Sequence, residues 1–197
     1  VPLTTEEVVM PNILKKSGWK RENLGIGMNP EFLREGSAIN DAQNPDRIVI
    51  GFADEIARKT LNELYEPYKC TKLECSPRTA ELIKYASNSF LATKISFVNE
   101  IANMSNIWGI DFQEVAEGMG LDSRISSEFL RAGAGFGGSC FPKDVKALAA
   151  AAKNSKVESL MLKATLEVND IQPRIIVKMA EDRLGVIKGK KIAILGL

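Results

Sequence analysis

The sequence predicts an α/β segment followed by a mostly α-helical one: the tail of a parallel sheet, a long connecting helix, and a helical domain around that helix. Three observations carry this reading. Short apolar runs alternate with amphipathic segments as far as Cys75; "SPRTAELIKYASNSFLATKISFVNEIANMSNIWG" keeps helical spacing with no internal glycine or proline after Pro77; and every long segment beyond it is helical in pattern.

The elements follow in order. Thr5 to Ser17 is amphipathic, "NLGIGMNP" and "RIVIGF" read as strands, "DEIARKTLNELYEPY" as a helix and "TKLEC" as an edge strand. Ser76 stands at an N-cap with Pro77 next, and the helix they open is expected to reach about 45 Å, more than one compact domain needs. A break near Ser87 to Ser89, giving two helices, is the alternative. "DFQEVAEGMG", "SSEFLRA", "FPKDVKALAAAAKN" and "SLMLKATLEVNDIQPRIIVKMAEDRLG" read as helices, with Pro173 a possible kink in the last. The apolar run from Ile192 to Leu197 reads as a buried strand that needs neighbours, so the chain is expected to be a piece of a longer protein. The expected domains are 1–75, 76–188 and 189–197.

Composition narrows the function. With 197 residues, 45% hydrophobic, and a net charge of +1, the chain has material for a core and no basic excess to track a nucleic acid. Its cations are scattered among acids, which gives a membrane surface nothing to attract, and no apolar run approaches the ~18 residues of a membrane span. Three cysteines in no framework spacing and no leader-like start fit a cytoplasmic protein. With no histidine and three thiols, no metal site is expected.

The chemistry concentrates in "GAGFGGSCFPKD", Gly133 to Asp144. Gly133, Gly135 and Gly138 match G-x-G-x-x-G, but a helical pattern precedes them where a dinucleotide turn needs a strand. What these glycines offer is a backbone that approaches a ligand closely. Cys140 falls at the start of the next helix, where free N–H groups and the helix dipole favour thiolate without any histidine. A structural thiol beside a tight turn is the alternative the residues leave open. Lys84 and Asn88, spaced i,i+4, share a helix face and can present an ammonium and an amide to one developing oxyanion; a solvated polar stripe is the plainer reading. Glu31 and Glu35 lie in a turn after a strand, where carboxylates serve as bases or ribose ligands, or are simply solvated.

Taken together, "NPEFLREGSAINDAQNPDRIVIG", "ELIKYASNSFLATKISFVNEIAN", "AEGMGLDSRI" and "GAGFGGSCFPKDVKAL" resemble the UDP-glucose/GDP-mannose dehydrogenase family, in order and over essentially the whole chain. The resemblance implies the end of a Rossmann-like NAD-binding domain (1–75), a central helical dimerisation domain (76–188) and the first strand of a domain that binds the nucleotide sugar (189–197). It implies NAD as cofactor, a UDP-sugar as substrate and a homodimer formed through helix 76–106. Cys140 would be the nucleophile that holds the C6 aldehyde as a thiohemiacetal and then a thioester. Lys84 and Asn88 would stabilise the C6 oxyanion, Lys84 serving also as acid or base; Asp144 would order water and Glu31 would assist hydrolysis. Glu35 and Lys143 would lie near NAD. Phe32, Leu33, Arg131, Phe136 and Gly137 would line the sugar-nucleotide site, with Arg124 reaching the partner's substrate. The family's glycine fingerprint and the threonine it places before "VP" are not in this sequence, and most of the nucleotide-binding domain is missing. "GSCFPKD" with "ISFVNEIAN" favours the UDP-glucose branch over GDP-mannose. A β-hydroxyacid dehydrogenase would share the Lys–Asn spacing but needs no thiol. A catalytically silent dimerisation fragment is the reading from a different class.

Overall fold

The computed structural model describes residues 2–195. They are mixed α/β and mostly helical, and form two compact units. One runs to Phe90 and takes in Lys143–Glu158; the other comprises Leu91–Pro142 and the residues from Ser159.

The first unit opens with a π-helical turn, Thr5–Val9, that continues into α1, Met10–Ser17. Its sheet has the order β1-β2-β3, with β1 at Gly27–Met28, β2 at Arg47–Phe52 and β3 at Thr71–Cys75. Between β1 and β2 lies the short α2, Ala38–Gln43; between β2 and β3 lies α3, Glu55–Tyr65. The β2–α3–β3 crossover gives a parallel pair, Arg47 opposite Thr71 through Gly51 opposite Cys75. β2 is the centre of the core, with Val49 and Ile50 fully buried, as its unbroken apolar run requires. β3 stands at the edge, as expected.

β1 departs from the parallel expectation: it is two residues long and antiparallel to β2. Side chains replace the ladder on either side of it. The Asp54 carboxylate accepts the Ile26 N–H at 3.0 Å, and the Asn29 amide donates to the Val49 carbonyl at 2.8 Å. Asp54 also caps α3, accepting the Ala57 N–H at 2.8 Å, and pairs with Arg21 at 3.0 Å. Gly51 is required by space: a Cβ there would lie 2.7 Å from the Ala80 Cβ and 3.0 Å from the Pro77 Cα.

α4, Pro77–Trp108, is one unbroken helix of 32 residues, about 48 Å long. The break considered near Ser87 to Ser89 is not there. Ser76 accepts the Thr79 N–H at its start, and Gly109, at φ +69°, ends it. The helix buries small residues, among them Ala80, Ala92 and Val98, and exposes large ones: Leu82, Phe90, Phe97, Ile107 and Trp108.

The second unit adds α5, Phe112–Gly120, capped by Asp111, and α7, Leu160–Leu184, which keeps its helix through Pro173. α6, Phe141–Asn154, which from Lys143 onward belongs to the first unit, begins where the proline and aspartate signals placed it. "SSEFLRA" is not helical. Ser126 and Phe129 sit at φ +65° and +64°, and the Lys94 ammonium donates to the Ile125 and Glu128 carbonyls at 2.9 and 2.6 Å, so a tertiary cation takes what a helix would have used. The strand expected at 192–197 is also not seen: residues 191–195 are irregular, with Leu195 95% exposed and no partner strand among the described residues, and 196–197 lie outside them.

Candidate active site

The candidate residues fall into two groups, one in each unit. In the first unit the turn after β1 brings Glu31 to α4. The Lys84 ammonium donates to the Glu31 carboxylate at 2.7 Å and to its backbone carbonyl at 2.6 Å. The Leu33 N–H donates to the other carboxylate oxygen at 2.8 Å. Partial burial pushes the Glu31 carboxyl up, but the Lys84 ammonium and the Leu33 N–H outweigh it and hold the group below its ordinary value. The Phe32 ring lies under Arg47, 4.0 Å from its centre, with the Lys84 ammonium 5.5 Å away, while Leu33 is exposed. Glu35 is exposed in the same turn.

One turn along α4, Asn88 donates to the Asp144 carboxylate at 2.7 Å. Lys143 donates to the second Asp144 oxygen. Asp144 is 1% exposed and Asn88 7%, so a carboxylate lies in the interior with an amide on one oxygen and a cation on the other, as a buried charge requires. Tyr85 completes the group: burial raises its phenol pKa, and the negative charge of Asp144 raises it further. No sequence pattern marks Tyr85.

In the second unit, Cys140 is half-buried immediately before α6, with the Ser139 hydroxyl 3.6 Å from its sulfur. The buried Phe136 packs edge-on to Phe141, centroids 6.2 Å apart, and Gly137 is exposed. Arg124 is exposed and pairs with Asp122 at 2.6 Å, and Arg131 is exposed. Sequence reasoning missed Asn99, Asn169 and Gln172, whose amides hold the glycine loop. Their signal was present as amides at helical spacing in apolar helices, without any sign of what they would hold.

Among the described residues, no group of three or more histidines, cysteines or carboxylates is placed to hold a metal, and all three thiols are free. Cys75 is half-buried on the edge strand β3, and that burial pushes its thiol up. No helix among the described residues is long and apolar enough to cross a membrane.

The described residues supply part of a dinucleotide-binding framework. The parallel β2–α3–β3 unit is half of the usual mononucleotide-binding repeat, and the turn after β1 offers carboxylates at the sheet's rim. The glycine-rich strand-to-helix turn that would seat a pyrophosphate is not found among the described residues; the glycines at 133–138 lie in an irregular loop.

Comparison with known proteins gives the family to which these elements belong. Residues 1–69 match the NAD binding domain of the UDP-glucose/GDP-mannose dehydrogenase family, and residues 78–171 match its central domain. UDP-glucose 6-dehydrogenase YwqF of Bacillus subtilis is 53% identical over 175 residues, 89% of this chain and 40% of that protein. AglM of Haloferax volcanii, also a UDP-glucose 6-dehydrogenase, is 46% identical over all of this chain and 47% of its own length. A UDP-glucose dehydrogenase structure from Pyrobaculum islandicum superimposes with TM-score 0.89 at 46% identity, covering 93% of this chain and 42% of that one. The chain belongs to the UDP-glucose/GDP-mannose dehydrogenase family. It spans less than half the length of the curated relatives it matches.

Proposed function

We propose that this chain carries catalytic groups of an NAD-dependent oxidoreductase that converts the C6 alcohol of UDP-glucose to a carboxylate. The observation that supports it best is the meeting of Glu31, Lys84, Asn88 and Asp144 in one unit: an oxyanion-binding pair and two carboxylates, on a chain 53% identical to a UDP-glucose 6-dehydrogenase. Bound NAD would supply the acceptor for the hydride lost from C6 in each of two oxidations.

The residues divide the remaining work. In the first oxidation the alcohol loses a proton to a base, with Lys84 and Asn88 steadying the negative charge on the C6 oxygen. The Cys140 thiolate adds to the resulting aldehyde, forming a C–S bond and a second oxyanion at the same oxygen. Loss of the remaining C6 hydride turns this thiohemiacetal into a thioester. Water, ordered by Asp144 and relieved of its proton by Glu31, attacks the carbonyl; the C–S bond breaks and the thiol and the carboxylate are released. Glu31, held below its ordinary pKa beside Lys84, is ionised at neutral pH and so able to take that proton. Glu35 and Lys143 are assigned to the cofactor side, and Phe32, Leu33, Arg131, Phe136 and Gly137 to the sugar nucleotide.

The wider assignments are of the same standing. We assign residues 1–75 to the cofactor domain, 76–188 to the central domain and 189–197 to the start of a nucleotide-sugar domain. A second copy of the chain covers the large apolar residues of α4, with Arg124 contributing to the partner's substrate. Three free thiols fit a cytoplasmic setting. A GDP-mannose dehydrogenase structure from Pseudomonas aeruginosa, TM-score 0.62 at 37% identity over 92% of this chain and 42% of that one, favours the alternative substrate less. Cys140→Ser in the full-length protein decides the central point. Acid formation is expected to fall at least about a thousandfold while UDP-glucose affinity stays within about threefold; acid formation near the wild-type rate overturns the covalent route.

A further inference from the structure

The loop that leads to Cys140 cannot shape itself. Gly133, Ala134, Gly135, Gly137 and Gly138 have little or no side chain with which to pack, and glycine gives up the most conformational freedom on ordering. Its form must be imposed by neighbours, and in the second unit those neighbours are three side-chain amides, one of them braced by a fourth.

Asn169 of α7 makes a two-point clasp on Phe136: its Oδ1 accepts the Phe136 N–H at 2.6 Å and its Nδ2 donates to the Phe136 carbonyl at 3.1 Å. Gly133 is held in the same way by two residues. Asn99 of α4 accepts its N–H at 2.7 Å, and Gln172 of α7 donates to its carbonyl at 2.9 Å. Gln172 is in turn fixed by the Asn103 amide at 2.9 Å. Both backbone groups of both loop residues are thus taken by side chains from two helices. Between them, Gly135 adopts φ +106°, and a Cβ there would lie 2.7 Å from the Asn169 Oδ1. Pro173, four residues on from Asn169, has no N–H to give the Asn169 carbonyl, which itself lies 3.5 Å from where that Cβ would stand.

A clasp that served the core alone would be built differently. Asn99 is fully buried and its Nδ2 has no partner among the described residues, a cost that an aliphatic side chain would avoid. What the asparagine provides in return is the hydrogen bond to Gly133. We propose that Asn169, supported by Gln172 and Asn99, is a positioning residue that fixes the Gly133–Phe136 backbone. Through that backbone it sets how the Phe136–Gly137 segment meets the sugar and how Cys140 is presented. This rests on the assignment of Cys140 and the Phe136–Gly137 segment to the reaction.

The test is made in the full-length protein with Asn169→Leu, Asn169→Asp and Gly135→Ala. It reads kcat and KM for UDP-glucose, the iodoacetamide alkylation rate of Cys140 followed by mass spectrometry, and hydrogen exchange at the loop amides. Asn169→Leu is expected to lower kcat/KM at least about thirtyfold, to change Cys140 alkylation at least about fivefold, and to speed exchange at Phe136 at least about tenfold, with α4 and α7 still protected. Asn169→Asp should be impaired at neutral pH and recover as pH falls, because a protonated carboxyl can donate to the Phe136 carbonyl as the amide does. Gly135→Ala should reproduce the Leu variant. Wild-type kinetics and alkylation in a folded Asn169→Leu protein overturn the proposal, as does an Asn169→Asp protein with no pH-dependent recovery. Should Asn169→Leu fail to fold, the Asp and Ala variants decide by the same readouts. Cys140→Ser separates the two levels: if it still forms acid the catalytic reading is lost, while loop exchange and UDP-glucose affinity in the Asn169 variants continue to test the clasp.

Discussion

Asp54 shows how much one side chain can organise. Its carboxylate caps α3, ends the approach to β1 through the Ile26 N–H and holds Arg21, three tasks in one position. Burial raises its pKa, but these donors outweigh that and leave the group below its ordinary 3.8. A carboxylate with a depressed folded pKa contributes stability that is fully present above its unfolded value and is lost as pH falls through the folded one. Asp54→Ala is therefore expected to cost about 1–2 kcal/mol at pH 7, by urea denaturation, and the deficit should shrink as the pH drops below about 4. A deficit that is constant across that range would remove the charge from the explanation. Glu31 follows the same sign, since Lys84 and the Leu33 N–H depress it in the folded state.

Among the elements, β2 and α4 decide the architecture of the first unit. β2 ends against the start of α4, and at Gly51 the two leave no room for a Cβ. Gly51→Ala forces a methyl to within 2.7 Å of the Ala80 Cβ, with backbone on the other side that cannot rotate away. The expected loss is about 1–3 kcal/mol, seen as a lower urea midpoint with an unchanged slope. A neutral effect would mean that the strand and helix separate at little cost. α4 itself was legible from its caps and its glycine-free run. "SSEFLRA" was not, because its helical pattern is overridden by Lys94, a cation more than thirty positions away in sequence.

For the whole molecule, the informative feature of α4 is the inversion of size and burial. Ala80, Ala92 and Val98 are fully buried while Phe90 is 67% exposed and Ile107 83%. Exposed apolar residues in such number on one helix are expected to meet a second copy of the chain, and a two-fold dimer is the simplest closure. Sedimentation equilibrium should give a dimer at micromolar concentration, and Phe97→Glu with Trp108→Glu should return it to monomer. A wild-type monomer at that concentration overturns the self-association.

What the sequence determined by itself is what depends on local rules. The ends of α4 follow from serine, proline and glycine signals, the start of α6 from proline and aspartate, β2 from an unbroken apolar run, and the family from motifs that stand in order along the chain. Candidate residues such as Lys84 and Asn88 were visible because i,i+4 spacing places them on one face whatever the surroundings. Only the tertiary structure decided their partners: that Lys84 meets Glu31, that Asn88 and Lys143 share the buried Asp144, and that amides from α4 and α7 hold the loop before Cys140. Helix spacing and turn chemistry are set by neighbours a few residues apart, whereas a buried charge or a glycine loop takes its partners from wherever the fold brings a donor.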